Sequence, residues 1–233
     1  WIRELEFKQL NVDLIAGMVG ESWESWKETV SGTIALEPDS VTIYQMELPH
    51  NTVYSKELAE GSDLDFANWD TKRAWHSYAM EQFEEAGFSA SSAYTMTKAG
   101  GNRAFVYRDA LWQSSDMIGT GVASFSHMGG VHFQNLAEWD LYLEALQEGR
   151  LPLARGFVTD AAERLTREFI LQLKVGRLSP SYFQEKFGVD PRERFAKPLA
   201  QHQQDGYLSM NGDKIRIHRE GLLQIDRLLH AFF

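Results

Sequence analysis

Along the first half of the chain, runs with the two-residue period of a strand alternate with runs with the 3.6-residue period of a helix, and this alternation restricts the fold more than any single motif does. Residues 11–16 (NVDLIA), 41–46, 88–97 and 117–122 read as strands, and residues 2–10, 21–36 and 70–86 as helices. The second of these helices carries Trp23, Trp26, Val30, Thr33 and Ile34 on one stripe, and the third carries Trp75, Tyr78, Ala79, Phe83 and Ala86. Asp70 suits the cap of the third helix and Gly87 its left-handed stop. Strands separated by helices imply βαβ units, so the expected fold class is α/β with parallel strands. About four strands are too few to close a barrel, and a parallel sheet buried on both faces leaves an edge to be covered. The expectation is therefore an open parallel sheet from which an earlier half is absent, with a small open α/β sandwich complete in itself as the alternative.

Beyond residue 150 the pattern changes, and the expected division is 1–150 for a sheet-bearing domain and 151–233 for a helical one. Thr159 precedes a helix that turns Ala162, Leu165, Phe169, Ile170 and Leu173 inward. Ser179-Pro180 and Asp190-Pro191 each set a cap before a proline, and the helices they open end at Gly188 and Gly206. Asn211-Gly212, within residues 207–217, is a strong hairpin signal, and residues 220–233 form a last amphipathic helix. Helix, helix, hairpin and helix is the order of a winged helix.

The net charge of −10 is concentrated in residues 1–155, where eleven Lys and Arg face twenty-three Asp and Glu; the remainder holds twelve against ten. The acidic part repels nucleic acid and anionic membrane. The helix after Pro191 carries Arg192, Arg194, Lys197 and His202, but acids dilute its face, so DNA binding is not expected. No apolar run reaches the length of a bilayer span and no secretion-type leader opens the sequence, which makes the cytoplasm the expected compartment. The sequence contains no cysteine. Disulfides, thiolate catalysis and a thiolate-held iron–sulfur cluster are therefore excluded within this chain.

Two segments carry the candidate chemistry. Asp13 is a lone carboxylate in an apolar strand; at the depth of a parallel sheet it needs hydrogen-bond donors, which ribose hydroxyls would supply and which a lysine or backbone amide could supply instead. Residues 44–49 (YQMELP) bring polar groups out at the end of the next strand, where α/β sheets bind ligands; Met46 could lie against a purine there or belong to the core. Residues 116–135 (DMIGTGVASFSHMGGVHFQN) hold Gly119, Gly121, Gly129 and Gly130, with Gly101 upstream. Such glycines let backbone approach a flat ligand closely, with Ile118 covering it. His127 and His132 lack helical ligand spacing and a nearby acid, so a metal pair is not expected. Asn135 reads as the cap of the helix that follows.

These segments, with NRAFVYRDALW and the terminal GLLQIDRLLHAFF, resemble the radical S-adenosylmethionine enzymes of the oxygen-independent coproporphyrinogen III oxidase family over nearly the whole chain. The resemblance implies the second half of the family's partial barrel and its helical cap, without the CxxxCxxC loop that holds a 4Fe-4S cluster. It further implies that Asp13 binds the adenosyl ribose, that Met46 contacts adenine through its backbone, and that Ile118 and Thr120 border the nucleoside. The family's substrate is a tetrapyrrole and its chemistry calls for an electron-donor protein. Related members chaperone haem, open its ring or methylate, and in a haem-binding reading His127 or His132 would be the axial ligand. The family's Phe-Gln pair after Arg-Asn departs here to Arg103-Ala104-Phe105-Val106-Tyr107, an apolar group replacing the amide.

Overall fold

In a computed structural model, which describes residues 2, 4–50, 52–62, 64–98 and 105–233, the fold grows from one parallel strand pair. β1 (Asn11–Ala16) and β2 (Ser40–Gln45) run side by side with Asp13 beside Thr42 and Ile15 beside Tyr44, and α1 (Trp23–Ala35) connects them. Ser22 and Ser25 form a capping box that starts α1. After α2 (Val53–Ala59), α3 (Trp69–Glu85) packs on the same side of the sheet as α1. Its cap is Asn68, whose side chain accepts from Thr71, and Asp70 lies inside the first turn rather than at the cap.

Leu14, Ala16, Val41 and Ile43 occupy alternate positions of paired strands, so they share the face that α1 and α3 cover with Trp26, Val30, Trp75, Ala79 and Phe83. The Trp26 indole N–H donates to the Trp75 carbonyl at 2.8 Å, which satisfies the polar group of a fully buried ring. The other face of β1 carries Asn11, Asp13 and Ile15 and stays open.

The expectation of a parallel sheet holds for β1 and β2 alone. Residues 88–97 are two strands, β3 (Phe88–Ala90) and β4 (Thr95–Lys98), and the sheet order β1-β2-β4-β3 is antiparallel from β2 onward. Ser91 and Ser92 make the turn: the Ser91 amide donates to the Thr95 carbonyl at 2.8 Å, and the Thr95 amide donates to Ser92 Oγ at 3.1 Å. Residues 117–122 are a loop that touches the sheet through a single bridge, Met117 to His127. The strands come later, as the antiparallel sheet of β5 (Phe125–Met128), β6 (Val131–Asn135) and β7 (Leu153–Val158). Among the described residues no barrel closes. The expected helix over 2–10 is also absent among its described residues, because Leu5 and Phe7 stay exposed and give an amphipathic turn nothing to pack on.

α4 (Val106–Trp112) and α5 (Trp139–Gln147) flank this second sheet in sequence. A second core follows in α6 (Ala161–Leu173), α7 (Pro180–Phe187), α8 (Pro191–Arg194), α9 (Ala196–Gln204), α10 (Arg219–Leu222) and α11 (Ile225–Leu229), with the small sheet of β8 (Arg177–Leu178), β10 (Lys214–Ile217) and β9 (Leu208–Asn211). The hairpin at Asn211-Gly212 forms as expected. The long helix expected after Pro191 breaks at Phe195, and the terminal one breaks between Leu222 and Ile225. Phe169 is the centre of this core, fully buried and touched by Phe183, Phe195 and Phe232 at ring separations of 4.5–5.7 Å. Ala93 joins this core and Leu223 joins the first, so each crosses to the other's hydrophobic cluster. Among the described residues no helix is long and apolar enough to cross a membrane.

Phe169→Ala is expected to lower unfolding stability by about 3–5 kcal/mol, the usual cost of emptying a packed aromatic site. Urea denaturation measures it, and a loss below about 1 kcal/mol would contradict the packing described.

Candidate functional site

Two surfaces converge on the C-terminal end of β2. The first is the polar face of the parallel pair, open over β1 and closed over β2, where Ser40 and Thr42 are buried. Ser40 and Thr42 both donate to Asn11 Oδ1, at 2.8 and 3.3 Å, and this turns the Asn11 amide nitrogen toward Asp13, to which it donates at 2.6 Å. Asp13 is exposed, not buried as the apolar run suggests, because β1 is the edge strand and no helix covers this face. Its need for donors at depth therefore falls away. What remains is a carboxylate held in place through one oxygen, with Ile15 and Tyr44 beside it on the same open face. Its charge acts on Tyr44, whose phenol burial, chiefly, and Asp13 both push up.

The second surface is a cleft of about 900 Å³ between β2, α3 and the α10–α11 corner. Trp69, Arg73 and His76 line it from one stripe of α3, and Tyr44, Gln45 and Glu47 from β2 and its exit. Across from them, Tyr94 stacks near Tyr44 at 6.2 Å and donates to Asp226, which also takes Lys174 at 2.8 Å. Burial first, then Asp226, pushes the Tyr94 phenol far up, so it stays a donor.

The tautomer of His76 follows from its neighbours. Gln45 Nε2 donates to the Leu223 carbonyl at 2.8 Å, which fixes that atom as the amide nitrogen, and it lies 3.0 Å from His76 Nδ1. Nδ1 must then accept, and Nε2 carries the proton. That N–H is buried and without a partner. His76 is 2% exposed; burial, and after it Arg219, push its pKa down to about 4. Burial lowers the Lys72 pKa as well, with Glu47 opposing.

The remaining sequence candidates are fixed by other contacts. Met46 donates from its amide to Ala16 at 2.8 Å, and its carbonyl accepts Lys72 Nζ at 2.7 Å, so its main chain is already engaged. The Lys72 stem crosses Gly17, where any Cβ would sit 2.8 Å from it. Ile118, 63% exposed, and Thr120 project from the glycine loop. The loop amides do not reach outward: Gly119 donates to Ser126 Oγ and Gly121 to Tyr142 Oη. Gly119 is required by crowding, since a Cβ there would meet the Phe125 carbonyl at 2.3 Å. Asn135 is the residue sequence reasoning misread. It ends β6, buried, and donates to the carbonyls of Gly119 and Gly121, clamping the loop; the helix cap is Glu138. The loop's bonds run to β5, β6 and α5 rather than to β1, so the structure places Asp13, Tyr44 and, just past β2, Met46 at one sheet and holds Ile118 and Thr120 on a loop bonded to another. Gly101, Arg103 and Ala104 lie outside the described residues, while Val106 and Tyr107 are exposed.

The model of the HemN C-terminal domain matches residues 159–223. Over 99% of its length the chain is 24% identical to the oxygen-independent coproporphyrinogen III oxidase of Pseudomonas aeruginosa, and covers 53% of that protein. The chain is similar to the HemN-like and HemW proteins, and its residues 159–223 match their C-terminal domain. It is also 27% identical to the heme chaperone HemW of Mycobacterium tuberculosis, over 97% of this chain and 55% of the other. The solved coproporphyrinogen III oxidase HemN of Escherichia coli, described as a radical SAM enzyme, superposes with a TM-score of 0.80 at 22% identity, over 99% of this chain and 56% of that one. The chain thus spans about half the length of the relatives it matches. The fold is that of HemN, mixed α/β with small sheets that are mostly antiparallel.

His76 generates a pH dependence of stability. Unfolded, it takes up a proton near pH 6.5; folded, it does so only at about 4. Its contribution is complete above the upper value and is lost as pH falls toward the lower one, by about 3 kcal/mol. Urea unfolding at pH 7 and pH 4.5 should reveal this loss in the native chain and a smaller loss in His76→Gln; equal losses would contradict the burial of a neutral ring.

Proposed function

We propose that the chain is the portion of a radical S-adenosylmethionine oxidoreductase, of the oxygen-independent coproporphyrinogen III oxidase type, that supplies the adenosyl-ribose edge and one wall of the substrate cleft. The substrate class is a tetrapyrrole, and an electron-donor protein is the implied partner. The observation that carries this reading is Asp13: an exposed carboxylate, steadied by Asn11 through one oxygen, at the open face of the parallel pair. A ribose diol presents two donors, and a carboxylate with a free oxygen is the acceptor such a diol needs. Ile15 and Tyr44, paired with each other one step further along the same face, give the sugar an apolar neighbour.

Four residues would take the nucleoside part of the cofactor. Asp13 would hold the ribose, Ile118 and Thr120 would border the base, and Met46 would meet adenine through the free lone pair of its carbonyl. When bound beside a cluster, the adenosyl group supplies hydrogen abstraction. The 4Fe-4S cluster itself does not fit: the chain offers no thiolate, and no group of three or more His, Asp or Glu among the described residues could hold a metal. Cluster ligation would have to come from cysteines other than its own, and the chain alone is expected to be inactive in radical chemistry. The division proposed for this role is 1–150 for the barrel half and 151–233 for its cap.

A second reading, a heme chaperone, draws on the likeness to HemW. The two separate in one experiment. Equilibrium dialysis with S-adenosylmethionine and with 5′-deoxyadenosine should give binding that weakens roughly 10- to 100-fold in Asp13→Asn, the value of a hydrogen bond to a charged acceptor. Absence of nucleoside binding, together with a Soret shift on titrating ferric haem that Asp13→Asn leaves intact, would reject the first reading in favour of the second.

A further inference from the structure

The hairpin of β5 and β6 sets His127 directly opposite His132, and their rings lie 4.3 Å apart. His127 is 4% exposed, and its Nδ1 is buried without a hydrogen-bond partner. α6 brings two guanidinium groups to the same place from positions one turn apart, Arg164 and Arg167. Arg164 Nη1 lies against the hairpin turn, 3.1 Å from where a Cβ on Gly130 would stand, and donates to the Thr159 carbonyl at 2.5 Å. Arg167, half-buried, donates to Ser114 Oγ at 3.1 Å. Among the described residues neither arginine has a carboxylate bonded to it. The charged groups that act on the pair are Arg167 and Arg164 against Asp116, which already accepts the Gly129 amide. Burial comes first and Arg167 second in lowering the pKa of both rings.

Two partly desolvated cations with no carboxylate bonded to them stand beside two imidazoles, one of which has an orphaned buried nitrogen. A divalent metal would be repelled by the guanidiniums; an anion would be drawn to them and would satisfy the orphaned ring. We infer that the surface between β5, β6 and α6 binds an oxyanion, the carboxylate or phosphate group of a small ligand, held by Arg167, Arg164 and the His127–His132 pair. Negative charge there favours the imidazolium form, so binding takes up protons and strengthens as pH falls through the range in which the rings titrate. This inference stands apart from the nucleoside reading, since it uses none of Asp13, Met46, Ile118 and Thr120.

Inorganic phosphate and citrate, titrated separately into the chain while the ring signals of His127 and His132 are followed by NMR, test it. The expected result is a saturable shift with one of the two, a rise in both ring pKa values at saturation, and roughly tenfold weaker binding in Arg167→Gln. In that variant the rings should already titrate higher without ligand. A response to citrate alone identifies a carboxylate site, and one to phosphate alone a phosphate site. Arg167→Lys keeps the charge without the fork, so partial retention of binding controls for misfolding. No saturable shift with either anion up to about 50 mM, or equal saturation in Arg167→Gln, overturns the inference.

Discussion

The pairing of β1 with β2 has two unlike faces, and the rest of the molecule is organised around that asymmetry. On one face the alternation of Leu14, Ala16, Val41 and Ile43 demands cover, and α1 and α3 provide it through Trp26, Val30, Trp75 and Phe83. On the other, Asn11, Asp13, Thr42 and Tyr44 hydrogen-bond, stack or stay open. A sheet covered by helices on one side leaves its polar side free to meet a ligand at the carboxyl end of the strands, where Glu47 and the cleft lie.

The second core is tied to this pair through few contacts, and these converge on the cleft. Gln45 reaches the Leu223 carbonyl, Tyr94 and Lys174 share Asp226, and Arg219 pairs with Glu84. The Gln45 bond also dictates which nitrogen of His76 bears its proton, so a contact between the two cores sets the donor pattern inside the cleft. The Ala93 and Leu223 side chains, each embedded in the other cluster, add apolar packing to these polar ties.

Local chemistry made much of the fold legible in advance. Asn211-Gly212 demanded a tight hairpin, Ser179-Pro180 a helix start, and the tryptophan stripe a face on the sheet, each from the residues involved. The misreadings have physical causes as well. Burial of Asp13 was read from its apolar neighbours, but period-two alternation reports which residues share a face, not whether that face is covered. Ser91 and Ser92 broke an apparent strand by bonding locally to Thr95, a competition that hydrophobic pattern does not register. Asn135 had the composition of a helix cap, and only the folded glycine loop presents the Gly119 and Gly121 carbonyls it clamps. His76, Lys72 and Asp226 drew no attention in the sequence because each depends on partners far along the chain: Gln45, Met46 and Tyr94 respectively.

The account rests on the open face of the parallel pair being a nucleoside edge. A crystal structure of the chain soaked with 5′-deoxyadenosine measures this most directly. The account predicts the ribose hydroxyls within hydrogen-bond distance of the Asp13 carboxylate, with Asn11 still bonded to its other oxygen. A nucleoside seated elsewhere, with Asp13 facing only solvent, would contradict it.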